Sequence, residues 1–306
     1  TDAGNCIFEE TNFDCAGNFI PETKSALQTA VDLWVNDNSS ALSFYGEIND
    51  WDVSLITDMS YLFYNKPTFN EDLNDWDVSN VSNMNSLFHG AQNFNGNVSS
   101  WDVSNVTNMF ATFHFSAFNG DISNWDVSSV TNMGHMFAGA TVFNGDISNW
   151  DVSNVTRMSE MFGNAQEFNQ DISNWNVANV EFMQYMFWKT HNFNQDISNW
   201  NISSVVNMND MFSQNFSLSN ENRCSIQTEF SNNTNWNFDW LGFCDDDNDG
   251  ILNSNEISGC QDSGACNYNS SATDPGNCVY TDGICETCSG QTNGTGTVVD
   301  NDSDND

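Results

Sequence analysis

Basic side chains are almost missing from this chain. Lys24, Lys66, Arg157, Lys189 and Arg223 are its only five among 306 residues, against 42 Asp and Glu, for a formal charge of −37. A protein that tracks phosphates needs a basic face, so nucleic acid is excluded as a partner. Electrostatic docking on anionic membranes is disfavoured for the same reason. No apolar run is long enough to span a bilayer, so direct membrane insertion is not expected. The excess acid suits solubility, or a medium rich in salt or divalent cations that screens the repulsion. Catalytic signatures are missing too. His89, His114, His135 and His191 form no His-x-x-x-His pair, no Gly-rich phosphate loop occurs, and no nucleophile has a recognisable base beside it. Carboxylates recur too evenly to mark a glycosidase site. The chain reads as a non-enzyme.

Cysteine is absent from the whole middle of the sequence. Cys6 and Cys15 precede that stretch, and Cys224, Cys244, Cys260, Cys266, Cys278, Cys285 and Cys288 follow it. Clustering in short, loop-rich flanks reads as disulfide stapling in an oxidising compartment. A zinc site would rest on Cys285 and Cys288 alone, with no second pair and no nearby His. Nine cysteines leave one thiol free or paired outside the chain.

What fills the cysteine-free middle is one phrase restated seven times. Trp51, Trp76, Trp101, Trp125, Trp150, Trp175 and Trp200 are spaced by 25 residues, with one interval of 24. A period of about 20–50 residues signals a solenoid, in which each unit buries its apolar face only against its neighbours. The expected fold is an α/β repeat solenoid. Each rung would hold a short parallel strand near Ile-Ser-Asn-Trp-Asp-Val, a turn, and one or two helical turns at Met-x-x-Met-Phe-x-x-Ala. In the fourth rung the apolar residues are Ile122, Trp125, Val127, Val130, Met133, Met136, Phe137, Ala140 and Phe143. Equivalent positions then stack into columns of Ile/Val, Met and Phe about 5 Å apart, the usual inter-strand spacing.

The flanks divide as follows. Residues 1–18 read as the tail of a Cys-rich module and 19–47 as a helical N-terminal cap. The helix between Pro21 and Asp37 presents Leu27, Ala30, Val31, Trp34 and Val35 on one face. Residues 48–222 are the seven rungs. Residues 223–244 are an aromatic-dense C-terminal cap with an expected Cys224–Cys244 disulfide, closing a loop of about 20 residues for roughly 3 kcal/mol. A calcium loop (245–256), a Cys-rich module (257–290) and an acidic linker opening a second calcium loop (291–306) complete the chain. Thr1-Asp-Ala-Gly-Asn-Cys6 repeats at Thr273-Asp-Pro-Gly-Asn-Cys278. That match suggests an excerpt of a longer modular protein whose units recur.

The phrase Trp-Asp-Val-Ser-Asn-Val-Thr-Asn-Met, with Met-Phe and Phe-Asn-x-Asp-Ile-Ser, resembles the BspA-like leucine-rich-repeat surface proteins over about residues 20–244. The resemblance implies an extracellular solenoid of leucine-rich-repeat type on a microbial cell surface, associated with attachment. It carries no ligand and no binding residues. The segment from Gly259-Cys-Gln-Asp-Ser-Gly-Ala-Cys to Cys278 is similar to Cys-rich modules of large secreted proteins from marine bacteria and algae.

The strongest candidate site is the loop from Asp245 to Glu256. Asp245, Asp247 and Asp249 take positions 1, 3 and 5 of an EF-hand-type loop, and Gly250 makes the turn at position 6. Ile251 offers its carbonyl, Asn253 sits at position 9, and Glu256 can close the site bidentately. Calcium wants six to eight hard oxygens, which alternate residues of a tight loop supply. The loop is similar to those of thrombospondin type 3 repeats, and Asp302, Asp304 and Asp306 would begin another. Two acidic ladders also run along the rungs. One is Asp52, Asp77, Asp102, Asp126, Asp151, then Asn176 and Asn201; the other is Asp72, Asn97, Asp121, Asp146, Asp171 and Asp196. Either each Asp caps a local turn, or cations bridge the ladder. The change to Asn favours capping. The Trp column reads as packing before sugar stacking. The Thr57, Ser82, Thr107, Thr131 and Thr156 column breaks at Glu181 and Val206, which argues against an ice-binding face. Sequons at Asn80, Asn105, Asn154 and Asn201 belong to the repeat phrase; Asn38, Asn215, Asn232, Asn269 and Asn293 are the better glycan acceptors.

The expected function is therefore a structural and adhesive segment of a large modular extracellular surface protein or filament, stiffened by calcium and disulfides. Its partners would be other copies or modules of the same protein, or surface ligands. The alternative is a calcium-dependent, lectin-like glycan-binding module.

Overall fold

A computed structural model describes residues 12–13, 17–245, 251, 255–281 and 286–300. The chain divides into two units, residues 1–238 and 239–306.

The first unit begins with two helices. In α1 (Lys24–Asn36), Thr23 accepts the Ala26 N–H, and Leu27, Ala30, Val31 and Trp34 are buried. Asp37 ends α1 and starts α2 (Asn38–Tyr45). Its N–H donates to the Leu33 carbonyl while its carboxylate accepts the Ser40 N–H. Helix α1 lies against the first repeat. Trp34 meets Trp51 edge-on at 5.8 Å, Gln28 Nε2 donates to the Leu62 carbonyl at 3.0 Å, and ion pairs join Lys24 to Asp58 and Lys66 to Asp32. It thus supplies an apolar face and a donor where a preceding repeat would otherwise stand.

The seven repeats stack one on the next. Parallel bridges run Asp58, Asn83, Asn108, Asn132, Arg157, Phe182, Asn207, one residue per repeat. From each of the first six of these points the chain gives four backbone donors to the following repeat. In the fourth repeat Met133, His135, Phe137 and Gly139 donate to the carbonyls of Arg157, Ser159, Met161 and Gly163 at 2.8–2.9 Å. The intervening N–H groups turn inward, with Met136 donating to Met133 and Ala138 to His135. Every second donor therefore closes a tight turn, and in alternate turns, such as Met133–Met136 and Phe137–Ala140, the third residue has φ > 0, as type II turns require. Tyr61 and Asn65, Ser86 and Gly90, Ala111 and Phe115, His135 and Gly139, Glu160 and Asn164, Tyr185 and Lys189, Asp210 and Gln214 are those residues.

This corrects the expected layout of a rung. The Met-x-x-Met-Phe segment forms no helix, and the expected strand at Ile-Ser-Asn-Trp-Asp-Val is not formed. An α-helix would send each of those N–H groups to the carbonyl four residues back. Here the adjoining repeat supplies better-placed acceptors for half of them, and the chain stays in turns. The pairing residue is, in most repeats, the Asx just before the core Met.

Inside, columns of like residues are buried: Val53 to Ile202, Ile56 to Val205, Met59 to Met208, and Phe63, Phe88, Phe113, Phe137, Phe162, Phe187 and Phe212. Phe centroids in adjacent repeats lie 5.2–5.9 Å apart and nearly parallel. The Trp column is buried as well, and the ring N–H of Trp76 donates to the Ile48 carbonyl, that of Trp101 to Leu73 and that of Trp150 to Ile122. Each of these Trp rings thus closes a polar group of the preceding repeat.

Helix α3 (Asn220–Phe230), capped by Ser219, buries Ile226, Gln227 and Phe230. The loop after it covers the last repeat. Trp236 and Phe238 meet Phe212 edge-on, and Asn233 Nδ2 donates to the carbonyls of Ile202 and Val205. The sequence reading missed α2 and α3 because their apolar faces are thin; α2 buries only Ala41.

The second unit contains two small sheets. β1 (Ser258–Gly259) pairs in parallel with β2 (Asp274–Pro275), and β3 (Glu286–Cys288) pairs antiparallel with β4 (Val298–Asp300). Cys260–Cys278 and Cys266–Cys288 disulfides cross this unit. Cys224 and Cys244 are each disulfide-bonded. The Cys266 bond also excludes the zinc reading for Cys288.

Candidate functional surfaces

The acidic ladders are turn caps. The Ser54, Ser79, Ser104, Ser128 and Ser153 N–H groups each donate to the Asp two residues earlier at 3.0 Å, and Asn176 and Asn201 accept in the same way from Ala178 and Ser203. The second ladder repeats the arrangement at Asp72, Asn97, Asp121, Asp146, Asp171 and Asp196. These bonds favour the ionised form. Side-chain and backbone hydrogen bonds from Ser79, Ser128, Ser153 and Ser173 hold Asp77, Asp126, Asp151 and Asp171 below the ordinary aspartate value. Backbone and side-chain bonds from Ser123 and Ser148 do the same for Asp121 and Asp146. Repulsion from the adjacent repeat opposes this at Asp146 and Asp151.

A depressed folded pKa contributes stability above the unfolded value of about 3.9, and that stability is lost as pH falls through the folded values. Thermal melts in roughly 0.5 M salt, where long-range repulsion is screened, should therefore hold level from pH 7 to about 5 and fall below about 4. A rise on acidification would show that repulsion dominates. Asp126→Ala should cost about 1 kcal/mol by the scale of lost caps, and Asp126→Asn close to nothing.

The sequons are structural. Nδ2 of Asn80, Asn105 and Asn154 donates to the carbonyl of Ser54, Ser79 and Ser128 in the preceding repeat. Asn215 is buried; its Nδ2 donates to the Phe193 carbonyl and its Oδ1 accepts the Ser217 N–H, which removes it from the expected glycan acceptors. The Ser82, Thr107, Thr131 and Thr156 hydroxyls of the exposed column likewise donate to carbonyls one repeat back.

Much of the expected calcium loop (Asp247, Asp249, Asn253), the second loop (Asp302, Asp304, Asp306), and Cys6, Cys15 and Cys285 lie outside the described residues. Asp245, Ile251 and Glu256 lie within them. Among the described residues, no three His, Cys, Asp or Glu side chains are grouped to hold a metal. No described helix is long and apolar enough to cross a membrane.

The surface that the sequence reading passed over is the turn face, the outward positions of the turn segment such as Asp58, Tyr61, Tyr64, Asn65 and Lys66 in the first repeat. Its residues vary from copy to copy, whereas the Asp, Asn and Trp positions recur. Three of the five basic residues lie along it: Lys66, Arg157 over the Phe182 ring, and Lys189 over the Trp188 ring. So do three of the four histidines. The His89 and His114 rings lie 4.4 Å apart, and His135 Nδ1 sits 3.3 Å from Glu160 Oε2. Burial, with His89 and His135 beside it, pushes His114 down to about 4, so its imidazole is neutral at physiological pH. Two hollows open on this face. One of about 380 Å³ is bordered by His89, Gly90, Gln92 and Phe115, and one of about 190 Å³ by Phe115, Glu160, Trp188 and Lys189. The only signal for this face in the sequence is that the repeats disagree there.

A capped stack of short repeats, tied by backbone bonds and closed by side-chain amides, defines the class of this molecule: a repeat protein with a recurrent scaffold and one variable face. The family model described as Mycoplasma protein of unknown function, DUF285, matches residues 35–133 and 111–224, and the chain belongs to that family. No curated protein and no solved structure matches it.

Proposed function

We propose that this chain is a structural and adhesive part of an extracellular surface protein, built as a solenoid of leucine-rich-repeat type and stiffened by disulfides and calcium. The observation that carries the reading is the ladder of backbone bonds that runs from Met59 to Ser213. A repeat surface tied this tightly displays groups at fixed spacing and has few moving parts for catalysis. The Cys260–Cys278 and Cys266–Cys288 bonds fit an oxidising compartment. The resemblance to BspA-like surface proteins supports attachment. Calcium would be held by Asp245, Asp247, Asp249, Ile251, Asn253 and Glu256, the donor set of a hard cation. The lectin alternative is weakened where it leaned on the Trp and Asp columns, because the Trp rings are buried and the Asp carboxylates cap turns.

Electron microscopy of native material with and without a chelator tests this. Regular fibres that loosen on chelation are the expected result. Discrete particles indifferent to calcium would overturn both the filament and the calcium joint.

A further inference from the structure

One residue on the turn face breaks the rule of its position. In the other repeats the equivalents of Phe115 are Asn65, Gly90, Gly139, Asn164, Lys189 and Gln214, mostly residues that tolerate φ > 0. Phe115 adopts φ 53° there, and half of its surface faces solvent. A bulky aromatic in the left-handed region is an outlier, shared here with Tyr61 and Tyr185 at the other left-handed position of the turns, and such outliers collect at functional sites. The left-handed conformation belongs to the turn, whose N–H at this position donates to Ala138, but the turn does not call for an exposed aromatic ring there.

The surroundings of Phe115 indicate what these costs serve. Its ring stacks on His114 at 4.1 Å and leans over the next repeat, where a Cβ on Gly139 would lie 2.2 Å from Cδ1. The gap left by that glycine is what lets the ring lie down. The row continues through His114 to His89 at 4.4 Å and Tyr64 at 4.8 Å, so rings line three successive repeats. The two hollows adjoin, sharing Phe115 and Gly139. One ends at Gln92 and Asn65, the other at Glu160, Asn164 and Lys189. Ring faces beside a few amides and one charge of each sign match a ligand with apolar C–H faces and many hydroxyls.

Charge narrows the class. The net −37 repels polyanions, and Glu160 with Lys189 leaves the hollow without net charge. The repeat spacing narrows it again, because the ring centroids of Phe88, Phe113 and Phe137 beneath this face lie 5.6 Å apart from one repeat to the next. That step is close to the length of one sugar in an extended β-linked chain. We infer that the two hollows flanking Phe115 form a binding groove for a neutral β-linked polysaccharide, with one sugar stacked on Phe115 and its neighbours seated on either side. The inference deepens the attachment half of the proposed function and rests on it only for biological setting.

The test is calorimetric titration of the full chain with cellohexaose and with the hexamer of β-1,4-linked N-acetylglucosamine. Native chain should bind at least one of them. Phe115→Gly places the residue found in the second and fourth repeats at the strained position. It should weaken binding at least tenfold while leaving the melting temperature equal or higher, and Trp188→Ala should weaken binding as well. Tyr61→Ala, outside both hollows, should bind as native. Loss of stability together with binding in Phe115→Gly would mark the ring as structural. Absence of binding by native chain at millimolar sugar, or undiminished binding by Phe115→Gly, overturns the groove. If coated beads still attach to cells under either result, the adhesive reading stands and the groove alone falls.

Discussion

Phe137→Ala should destabilise the repeat unit by about 3–5 kcal/mol, the range for removing a large buried aromatic. Phe137 has no exposed surface and stacks on Phe113 at 5.6 Å, Phe162 at 5.9 Å and Phe143 at 3.8 Å. Truncation removes the transferred area, leaves a cavity, and breaks three aromatic pairs worth about 0.5–1.5 kcal/mol each. The backbone cannot collapse to fill the gap, because Phe137 donates to Met161 while Phe113 donates to Met136. In a unit of this size the melting midpoint should fall by roughly 6–20 °C. Repeats contact only their neighbours, so the lesion should also separate the stack into halves. Hydrogen exchange should then quicken on both sides of the fourth repeat. Phe63→Ala, with Phe88 as its one stacked neighbour in the column, should cost less. A loss below about 1.5 kcal/mol at Phe137, typical of tolerated swaps, would mean that the column relaxes.

The columns themselves are legible in the sequence. Trp, Val, Met and Phe recur at fixed offsets, and burial follows each offset through seven copies. The Asp caps are legible for a related reason: Asn replaces Asp at 176 and 201, and an amide keeps the turn bond that a bridging cation would not need. The turns are not legible. Met59, Leu62 and Phe63 are all buried at spacings i, i+3, i+4, the signature of an amphipathic helix. What decides against a helix is a set of carbonyls in the adjoining repeat, such as Asn83 for Met59, which no local window contains. The one local trace is the left-handed position itself, where Gly90, Gly139, Asn65 and Asn164 recur. Asp210 sits at such a position with φ 54°. Asp210→Gly should therefore raise stability by about 1 kcal/mol in denaturant unfolding, strain relief outweighing the entropy of glycine. The groove around Phe115 stays hidden in the sequence, because the stack declares itself where the repeats agree and the groove sits where they differ.

Cys266→Ser should cost about 2–5 kcal/mol in the second unit, the usual loss for a native disulfide in a small domain. Strands β1 and β2 are two residues long and β3 and β4 three, too short for ladder bonds alone to hold. Among the described residues of this unit few side chains are buried, with Cys260, Ala265 and Cys266 prominent among them. A small unit with so little core depends on cross-links to restrict its unfolded chain. The Cys266–Cys288 bond spans 22 residues and joins the segment before β2 to β3, so it anchors the end of β3 that pairs with Val298 of β4. Its loss should be read by amide exchange over residues 286–300, where protection at Thr287 and Val299 should fall at least tenfold. Val53 to Val205 in the repeat columns serve as the internal reference, and their exchange should stay unchanged. Cys260→Ser removes a loop of 18 residues and should release β1 from β2 by a comparable amount. Protection at β3 and β4 that survives reduction would show that the short ladders hold without their disulfide.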